Sequence, residues 1–228
     1  MTITTCIFDA YGTLFDVTAA AREAAEEPGH AALRDCWQAL AAHWRDKQLQ
    51  YTWLRAITGD HTDFWQVTQD GLDWAMEATG LADPALRERL LALYWELSAY
   101  AEVPDMLADL KAAGFSTAIL SNGSPNMLSG AVESAGLEGL LDAVLSVETV
   151  GVFKPDARVY DMVEARFGCA RDEVLFVSSN GWDAAGAAAY GFQTVWVNRA
   201  GLPTDRLPGI PAQILSDLRT IPNLARSL

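Results

Sequence analysis

Near its start the chain reads Thr5-Cys6-Ile7-Phe8-Asp9-Ala10-Tyr11-Gly12. A short apolar run is followed by a carboxylate, and a glycine turn signal comes three residues later. The segment therefore predicts a buried strand that ends at Asp9. A carboxylate in this position has two interpretations: it serves a functional site at the edge of a sheet, or it forms an Asx turn or caps a following helix.

Four later runs have the same strand-like character, at 117–120, 143–147, 174–177 and 194–197. Helical patterns lie between them, at 104–113 and 155–167. Each of these patterns begins with a proline and is followed directly by a glycine. Strands that alternate with helices predict an α/β fold with a parallel sheet.

The chain between Thr18 and Ala101 contains no convincing strand pattern, and it holds six of the eight tryptophans. Two sets of apolar residues follow the spacing of one helix face: Leu33, Trp37, Leu40 and Trp44, then Leu86, Leu90, Leu93 and Leu97. We therefore predict a helical cap domain, 18–100, inserted into a core domain made of 1–17 and 101–228.

Composition limits the classes of partner. The 228 residues carry a formal net charge of −14, which disfavours nucleic acid and anionic membrane surfaces as partners. No signal peptide or membrane span is expected, because no charged leader and no run of about 18 apolar residues is present. Three widely spaced cysteines predict a reduced, cytoplasmic location. A small anionic substrate would need local cations.

Polar side chains follow several of the predicted strands. Asp9 follows the first strand, Ser121 and Asn122 follow the second, and Asp183 lies shortly after the run at 174–177. Ligands of open parallel sheets bind beyond the carboxyl ends of the strands. Because several polar groups converge on one edge, the functional interpretation of Asp9 is favoured.

Four segments resemble, in chain order, the motifs of the haloacid dehalogenase superfamily. They are Asp9-Ala10-Tyr11-Gly12-Thr13-Leu14, Leu120-Ser121-Asn122-Gly123, Lys154-Pro155 and Ser178-Ser179-Asn180-Gly181-Trp182-Asp183. The cap segment 44–55 is similar to one found in L-2-haloacid dehalogenases. The resemblance spans nearly the whole chain and implies a Rossmann-like parallel core with an inserted all-helical cap.

The superfamily consists mostly of phosphatases, from which this chain departs at two places. Those phosphatases share a second aspartate at the position where this chain has Tyr11. A phenol, with a reference pKa of about 10, is a poor general acid. Ser179 and Asn180 are neutral where acidic Mg²⁺ ligands are expected. A halide leaving group needs neither, so the resemblance implies a dehalogenase with no metal and no other cofactor.

The resemblance also implies a role for each motif residue. Asp9 would attack C2 of a small L-2-haloacid with inversion, Lys154 would offset negative charge, and Asp183 would activate the water that hydrolyses the ester. Residues that orient these groups are Thr13, Ser178, Asn180 and Tyr160. Ser121, with backbone amides near Tyr11, would bind the substrate carboxylate, while Arg45 and Asn122 would receive the halide. The wall around the alkyl group would comprise Tyr11, Leu14, Leu49, Phe64 and Trp182.

Structural interpretations stand beside these roles. Arg45 is also explained as a solvated cation, Lys154 as a surface turn residue, Tyr160 as core packing, and Ser178 as a helix cap. Two rival functions remain open: a phosphatase or phosphonate hydrolase with weakly bound Mg²⁺, and a catalytically idle binding module. A homodimer paired through the cap is expected by analogy with the family.

Overall fold

The computed structural model describes residues 2–228, and over these residues it contains one parallel sheet of six strands. The strands are β1 (Thr5–Phe8), β2 (Ser116–Ser121), β3 (Ala143–Ser146), β4 (Val174–Ser178), β5 (Gln193–Val197) and β6 (Gln213–Leu215). Their spatial order is β3-β2-β1-β4-β5-β6. The first five match the predicted strands.

Ten helices accompany the sheet in the described part of the chain. Five precede Val103: α1 (Ala19–Glu26), α2 (Ala31–Arg34), α3 (Trp37–Thr58), α4 (Phe64–Thr79) and α5 (Pro84–Trp95). The others are α6 (Val103–Ala112), α7 (Pro125–Ser134), α8 (Ala157–Phe167), α9 (Gly181–Tyr190) and α10 (Ile221–Ser227). A parallel sheet with a helical insertion after β1 confirms the predicted fold class, while the domain division at 18–100 stays a prediction.

Strand register brings the functional loops to one level. Phe8, the last residue of β1, pairs with Ile119 of β2 and with Val177 of β4. The N–H of Asp9 then donates to the carbonyl of Val177 over 2.9 Å. The strand order reverses at β1, which is where open α/β sheets bind their ligands. Asp9 therefore lies at the switch point of the sheet.

The inserted helices pack most closely where α4 crosses α3. A Cβ built on Gly71 of α4 would lie 3.3 Å from both the carbonyl of Trp44 and the amide of Gln48 on α3. The Trp44 indole N–H donates to the carbonyl of Thr68 over 2.8 Å. A glycine at 71 thus lets the two backbones approach, and this contact lies beside Arg45.

The two predicted helical stripes are longer than the helices that contain them. Leu33 lies in the single turn α2, and the chain leaves helical geometry at Cys36, where φ is −137°. Asp35 and Cys36 both have low helix propensity, which explains the break. Leu97 is buried but lies beyond the end of α5, where Phe15 and Ala99 form an antiparallel bridge that returns the chain to the core.

Two smaller differences between prediction and structure lie outside the inserted helices. The helix predicted from Pro155 begins at Ala157, because the side chain of Asp156 accepts a hydrogen bond from the Arg158 N–H and caps α8. Strand β6 was not predicted, since its three residues follow a segment rich in proline and glycine. Of the helices in 2–228, none combines the length and hydropathy that a membrane span requires.

Candidate active site

Asp9 lies at the end of β1 with its carboxylate held on both oxygens. Oδ2 accepts hydrogen bonds from Thr13 Oγ1 at 3.1 Å and from Asn180 Nδ2 at 2.8 Å. Oδ1 lies 3.2 Å from Lys154 Nζ. The residue is 6% exposed. Each neighbour donates to the carboxylate, so the group is held in one orientation but retains a narrow opening to solvent.

Lys154 bridges two carboxylates. Its Nζ lies 2.8 Å from Asp183 Oδ2 as well as 3.2 Å from Asp9 Oδ1, and the residue is almost completely buried. Burial opposes the charged ammonium, but the charges of Asp183 and Asp9 outweigh it, so the pKa of Lys154 lies above its usual value. The interpretation as a surface turn residue is therefore wrong, and Lys154 is positively charged at neutral pH.

Asp183 is fully buried in the first turn of α9. Its Oδ1 accepts from the Tyr160 hydroxyl at 2.8 Å, and its Oδ2 contacts Lys154. Burial raises the pKa of Asp183 above its usual value, and the charge of Asp9 adds to this effect, while Lys154 and Tyr160 oppose it. The hydroxyl of Tyr160 thus serves Asp183 directly, in addition to the packing of its ring against Phe176.

Arg45 reaches from α3 toward the carboxyl ends of the strands. Its Nη2 donates to the Tyr11 carbonyl and to Asn180 Oδ1, both at 3.1 Å. Its Nη1 donates to Gln48 Oε1 at 2.8 Å. Because Asn180 also donates to Asp9, a single amide links the guanidinium with the carboxylate. The structure places Arg45 at the site and not among the solvated surface cations.

Side chains at the ends of β2 and β4 accept hydrogen bonds from the backbone of nearby loops at this edge of the sheet. Ser121 Oγ accepts from the Gly123 N–H at 3.0 Å, and Ser178 Oγ accepts from the Asn180 N–H at 3.1 Å. Asn122 Oδ1 accepts from the backbone N–H of Lys154 at 2.9 Å. Ser178 therefore shapes the loop that carries Asn180, and its hydroxyl is not among the groups that donate to Asp9.

Aromatic rings cover the polar groups from the helical side. The ring of Tyr11 lies 5.7 Å from that of Phe64 and 5.8 Å from that of Tyr94. Burial, together with Tyr94 and Asp9, raises the pKa of Tyr11 well above its usual value. A phenol with such a pKa is an even poorer proton donor than the sequence implied.

The remaining predicted wall residues lie in two places. Leu49 and Trp182 line a cleft of about 340 Å³ together with Gly12 and Asn180. The Trp182 ring stands edge-on to Trp53 at 5.4 Å. Leu14 is completely buried in the hydrophobic core, and its part in binding a ligand stays a prediction. The cleft gives solvent a path to the loop that carries Asn180.

Within residues 2–228, His, Cys, Asp and Glu side chains form no group of three or more suited to hold a metal ion. Between the two carboxylates stands the ammonium of Lys154. Ser179 Oγ, at one of the positions where acidic ligands were expected, lies 3.1 Å from Thr13 Oγ1.

Asp9, Lys154 and Asp183 thus meet at one place in the structure. The segments that carry them follow one another along the chain in the order found in a known group of enzymes. A family model described as haloacid dehalogenase-like hydrolase matches residues 3–191. The chain belongs to this hydrolase family. This match confirms the superfamily predicted from the four motifs and the prediction that the chain is a hydrolase.

Relatives of this haloacid dehalogenase-like hydrolase share nearly its full length. (S)-2-haloacid dehalogenase 1 of Pseudomonas sp. strain CBS-3 is 44% identical over 223 residues, which cover 97% of this chain and 96% of that protein. The L-2-haloacid dehalogenase of Xanthobacter autotrophicus, solved with chloropropionic acid covalently bound, is 35% identical with a TM-score of 0.88 and complete coverage of both chains. A dehalogenase solved with an intermediate complex is 38% identical with a TM-score of 0.93, covering 99% of this chain and 98% of that one.

Sequence reasoning missed two contacts beside the site of this hydrolase. His61, to which no role was assigned, places Nε2 3.0 Å from Glu148 Oε2, and Glu148 Oε1 also accepts from the Phe64 N–H. These bonds join the start of α4 to the turn after β3. Gln48 is the second omission, and its only available signal was its position three residues after Arg45 on the same helix.

Proposed function

We propose that the chain is an (S)-2-haloacid dehalogenase that hydrolyses short L-2-haloalkanoic acids to D-2-hydroxy acids with inversion. One observation carries the proposal. Among the described residues, the Arg45 side chain donates hydrogen bonds only to neutral oxygens, although just the side-chain amide of Asn180 separates it from the Asp9 carboxylate. The cation is therefore free to receive an anion that forms next to the nucleophile. A departing halide is such an anion.

In the first step the Asp9 carboxylate attacks C2 of the substrate. An ester C–O bond forms as the carbon–halogen bond breaks, and the halide leaves with the bonding electron pair toward Arg45 and Asn122. Displacement from the rear inverts C2. Thr13, Asn180 and Lys154 hold the carboxylate in one orientation before the attack, which lowers the entropic part of the barrier.

The substrate carboxylate has a natural partner at the end of β2. Ser121 Oγ accepts from Gly123, so its own proton remains available to donate. Among residues 2–228 the N–H of Tyr11 has no acceptor. Two uncharged donors at this edge suit a carboxylate, because charge-assisted hydrogen bonds are stronger than neutral ones.

The second step hydrolyses the ester on Asp9. Water attacks the carboxyl carbon of Asp9 and gives one proton to Asp183. The C–O bond between that carbon and the alcohol oxygen then breaks, and the leaving oxygen takes up this proton from Asp183. The products are the D-2-hydroxy acid, a proton and the restored carboxylate. Lys154 contacts both Asp9 and Asp183, so its charge stabilises the negative charge that develops on the ester oxygen.

Halide release from both enantiomers of 2-chloropropanoate, with and without EDTA, tests the proposal. The L enantiomer is expected to release chloride at the same rate in EDTA, while the D enantiomer is inert. Chloride release from the D enantiomer alone would contradict the proposal. Hydrolysis of 4-nitrophenyl phosphate that EDTA abolishes would favour a phosphatase, and no turnover of either compound would favour a binding module.

The pH dependence of kcat follows from the surroundings of Asp183. Since burial raises its pKa, kcat is expected to fall on the acid side at a pH above the usual carboxyl value of about 3.9. The pKa of Lys154 lies above its usual value, so it imposes no loss of rate below about pH 10. Steady-state profiles from about pH 4 to 10 measure the acid limit and check that no loss of rate occurs on the basic side of this range.

Removing the Tyr160 hydroxyl sharpens this test. The hydroxyl lowers the pKa of Asp183, so Tyr160→Phe should move the acid limb to higher pH and reduce kcat more at pH 5 than at pH 8. Tyr190→Phe is the matched control, because the Tyr190 ring packs 5.4 Å from Tyr160 but its hydroxyl bonds to Asp161. An acid limb that does not move in Tyr160→Phe would exclude Asp183 as its source.

We also propose a cytoplasmic homodimer. Cys6, Cys36 and Cys169 are free thiols, as in a reducing compartment. Leu54 and Ile57 on α3 are 52% and 82% exposed, and they offer apolar surface on the cap for a second copy. Sedimentation of the wild type and of Ile57→Lys tests the pairing.

A further inference from the structure

Beside Arg45 lies a buried polar network that takes no part in the chemistry described above. It consists of Gln48 on α3, Thr68 on α4 and Tyr94 on α5, whose exposed fractions are 1%, 0% and 3%. Three helices of the cap thus meet at one amide. A buried network of this kind is costly unless every member is satisfied, and here each side chain has partners.

The hydrogen bonds run in one direction, each group donating to the next from the guanidinium of Arg45 to the carbonyl of Phe64. Thr68 Oγ1 donates to the carbonyl of Phe64 at 2.7 Å, so its lone pairs are left to accept from Gln48 Nε2 at 2.8 Å. The amide nitrogen therefore faces Thr68, and the amide oxygen faces Arg45 Nη1 at 2.8 Å. A reversed amide would place its N–H groups against the N–H donor of Arg45, and its oxygen against the lone pairs of Thr68 Oγ1.

Tyr94 closes the network. Its hydroxyl lies 3.1 Å from Gln48 Nε2 and 3.2 Å from Gln48 Oε1, and its ring stacks on that of Tyr11, with an angle of 16° between the planes. The ring of Trp44 lies 4.8 Å away on another side. Tyr94 thereby holds the Gln48 amide in place and connects it to the aromatic cover over Asp9.

The anchor of Arg45 is neutral, and this has an electrostatic consequence. A carboxylate at position 48 would hold the guanidinium equally well but would neutralise it, since paired charges in a buried site cancel. An amide oxygen fixes the position of Nη1 and leaves the full positive charge for another anion. Nη2 is fixed in the same way by the carbonyl of Tyr11 and the amide oxygen of Asn180.

We infer that Gln48, oriented by Thr68 and Tyr94, is a positioning residue that holds Arg45 over the nucleophile as an uncompensated cation for the departing halide. The inference rests on the proposed function and adds a determinant of leaving-group assistance. The carbon–chlorine bond is harder to break than the carbon–bromine bond, so its cleavage depends more on assistance from Arg45. Loss of the network should therefore slow release of chloride more than release of bromide.

Thr68→Val tests the orientation of the amide with little change of shape. It removes the acceptor that holds Gln48 Nε2 and should lower the single-turnover rate of chloride release from L-2-chloropropanoate about tenfold, as expected for one well-placed hydrogen bond. The rate with L-2-bromopropanoate should fall less, so that the bromide-to-chloride ratio rises about threefold. Gln48→Glu, which keeps the shape and adds the opposing charge, should change the ratio in the same direction.

Thr79→Val is the matched control. Thr79 lies on the same helix and makes the same bond to a carbonyl four residues earlier, Ala75, at 2.8 Å, but it has no contact with Gln48. A general loss of folded enzyme lowers the two rates equally and leaves the ratio unchanged. An unchanged ratio in both Thr68→Val and Gln48→Glu would overturn the inference.

Bromide binding supplies a readout that does not depend on turnover. Titration of the wild type with sodium bromide, followed by tryptophan fluorescence, should show a site that Thr68→Val and Gln48→Glu weaken about tenfold and Thr79→Val leaves intact. If the wild type binds bromide in this way but releases no halide from haloacids, the proposed function fails, and only the part of the inference that concerns Gln48 holding Arg45 as an anion-binding cation stands. Normal turnover with equal bromide affinity in all variants would refute the inference and leave the proposed function standing.

Discussion

Asp9→Asn is expected to lower the rate of halide release by about 10⁴-fold or more, as loss of a nucleophile does in enzymes with covalent intermediates. The variant keeps the shape of the side chain and removes the attacking oxygen anion. Single-turnover halide release from L-2-chloropropanoate measures the effect. Asp46→Asn is a matched control, since Asp46 is an exposed acid beside Arg45 on α3 and should leave the rate unchanged.

The same variant should also be less stable, for a reason that the site geometry supplies. Lys154, Thr13 and Asn180 all donate toward Asp9, so an amide nitrogen placed there must face a donor in either orientation. We expect unfolding in urea to show a loss of about 1–3 kcal/mol, the usual cost of an unsatisfied buried polar group. An equally stable variant would mean that these donors find water instead.

Heavy-oxygen water distinguishes attack by Asp9 from direct attack by water. Over one turnover with enzyme in excess, the wild type should place an oxygen of Asp9 in the product and one heavy oxygen in the Asp9 carboxylate. Mass spectrometry of the product and of the peptide containing Asp9 measures both. Heavy oxygen in the first product molecule, with Asp9 unlabelled, would refute the ester intermediate.

Lys154→Met should abolish activity and destabilise the fold by about 3–5 kcal/mol, because it leaves Asp9 and Asp183 buried without the cation between them. Lys111→Met is the control: Lys111 pairs with Asp142 at a partly exposed site, where the loss should stay within about 1 kcal/mol. Urea unfolding at pH 7 compares the two variants.

The destabilisation caused by Lys154→Met should shrink as the pH falls. Lys154 lowers the pKa of Asp183, so its removal raises that pKa further above the unfolded value of about 3.9. Ionised Asp183 then opposes folding at pH 7, and protonation below its folded pKa relieves the penalty. A second change, Asp183→Asn, should recover part of the lost stability at pH 7. Lys154 Nζ also lies 5.1 Å from the centre of the Phe176 ring, so no recovery would place the damage in the loss of this packing rather than in charge.

The meeting of Asp9 with the residues after β2 and β4 could largely be predicted from the chain, whereas the place of Lys154, several residues beyond β3, was implied only by the family motif. Parallel strands of similar length end at one level, so residues that directly follow them meet at the same edge. The structure bears this out, with Phe8 in register with Ile119 and Val177. The roles of these residues in the reaction stay predictions that the variants above test.

The helical segment was less predictable. Apolar spacing indicates which face of a helix is buried but not where the helix stops, and the stripe from Leu33 to Trp44 continued through the break at Cys36. Ends of helices depend on caps and on where the chain must turn next. The contact of His61 with Glu148 joins residues 87 positions apart, and no local pattern contains such a pair.

By itself, the sequence determined the α/β class, the strand ends that carry Asp9 and Ser121, and the absence of acids at Tyr11 and Ser179 that argues for a halide leaving group. The first two follow from residue type and local spacing, and the last follows from the resemblance of these positions to the family motifs. Tertiary structure alone decided that Arg45 is anchored by the neutral amide of Gln48. The direction of that hydrogen bond depends on Thr68, which only the packing of α4 on α3 brings within reach.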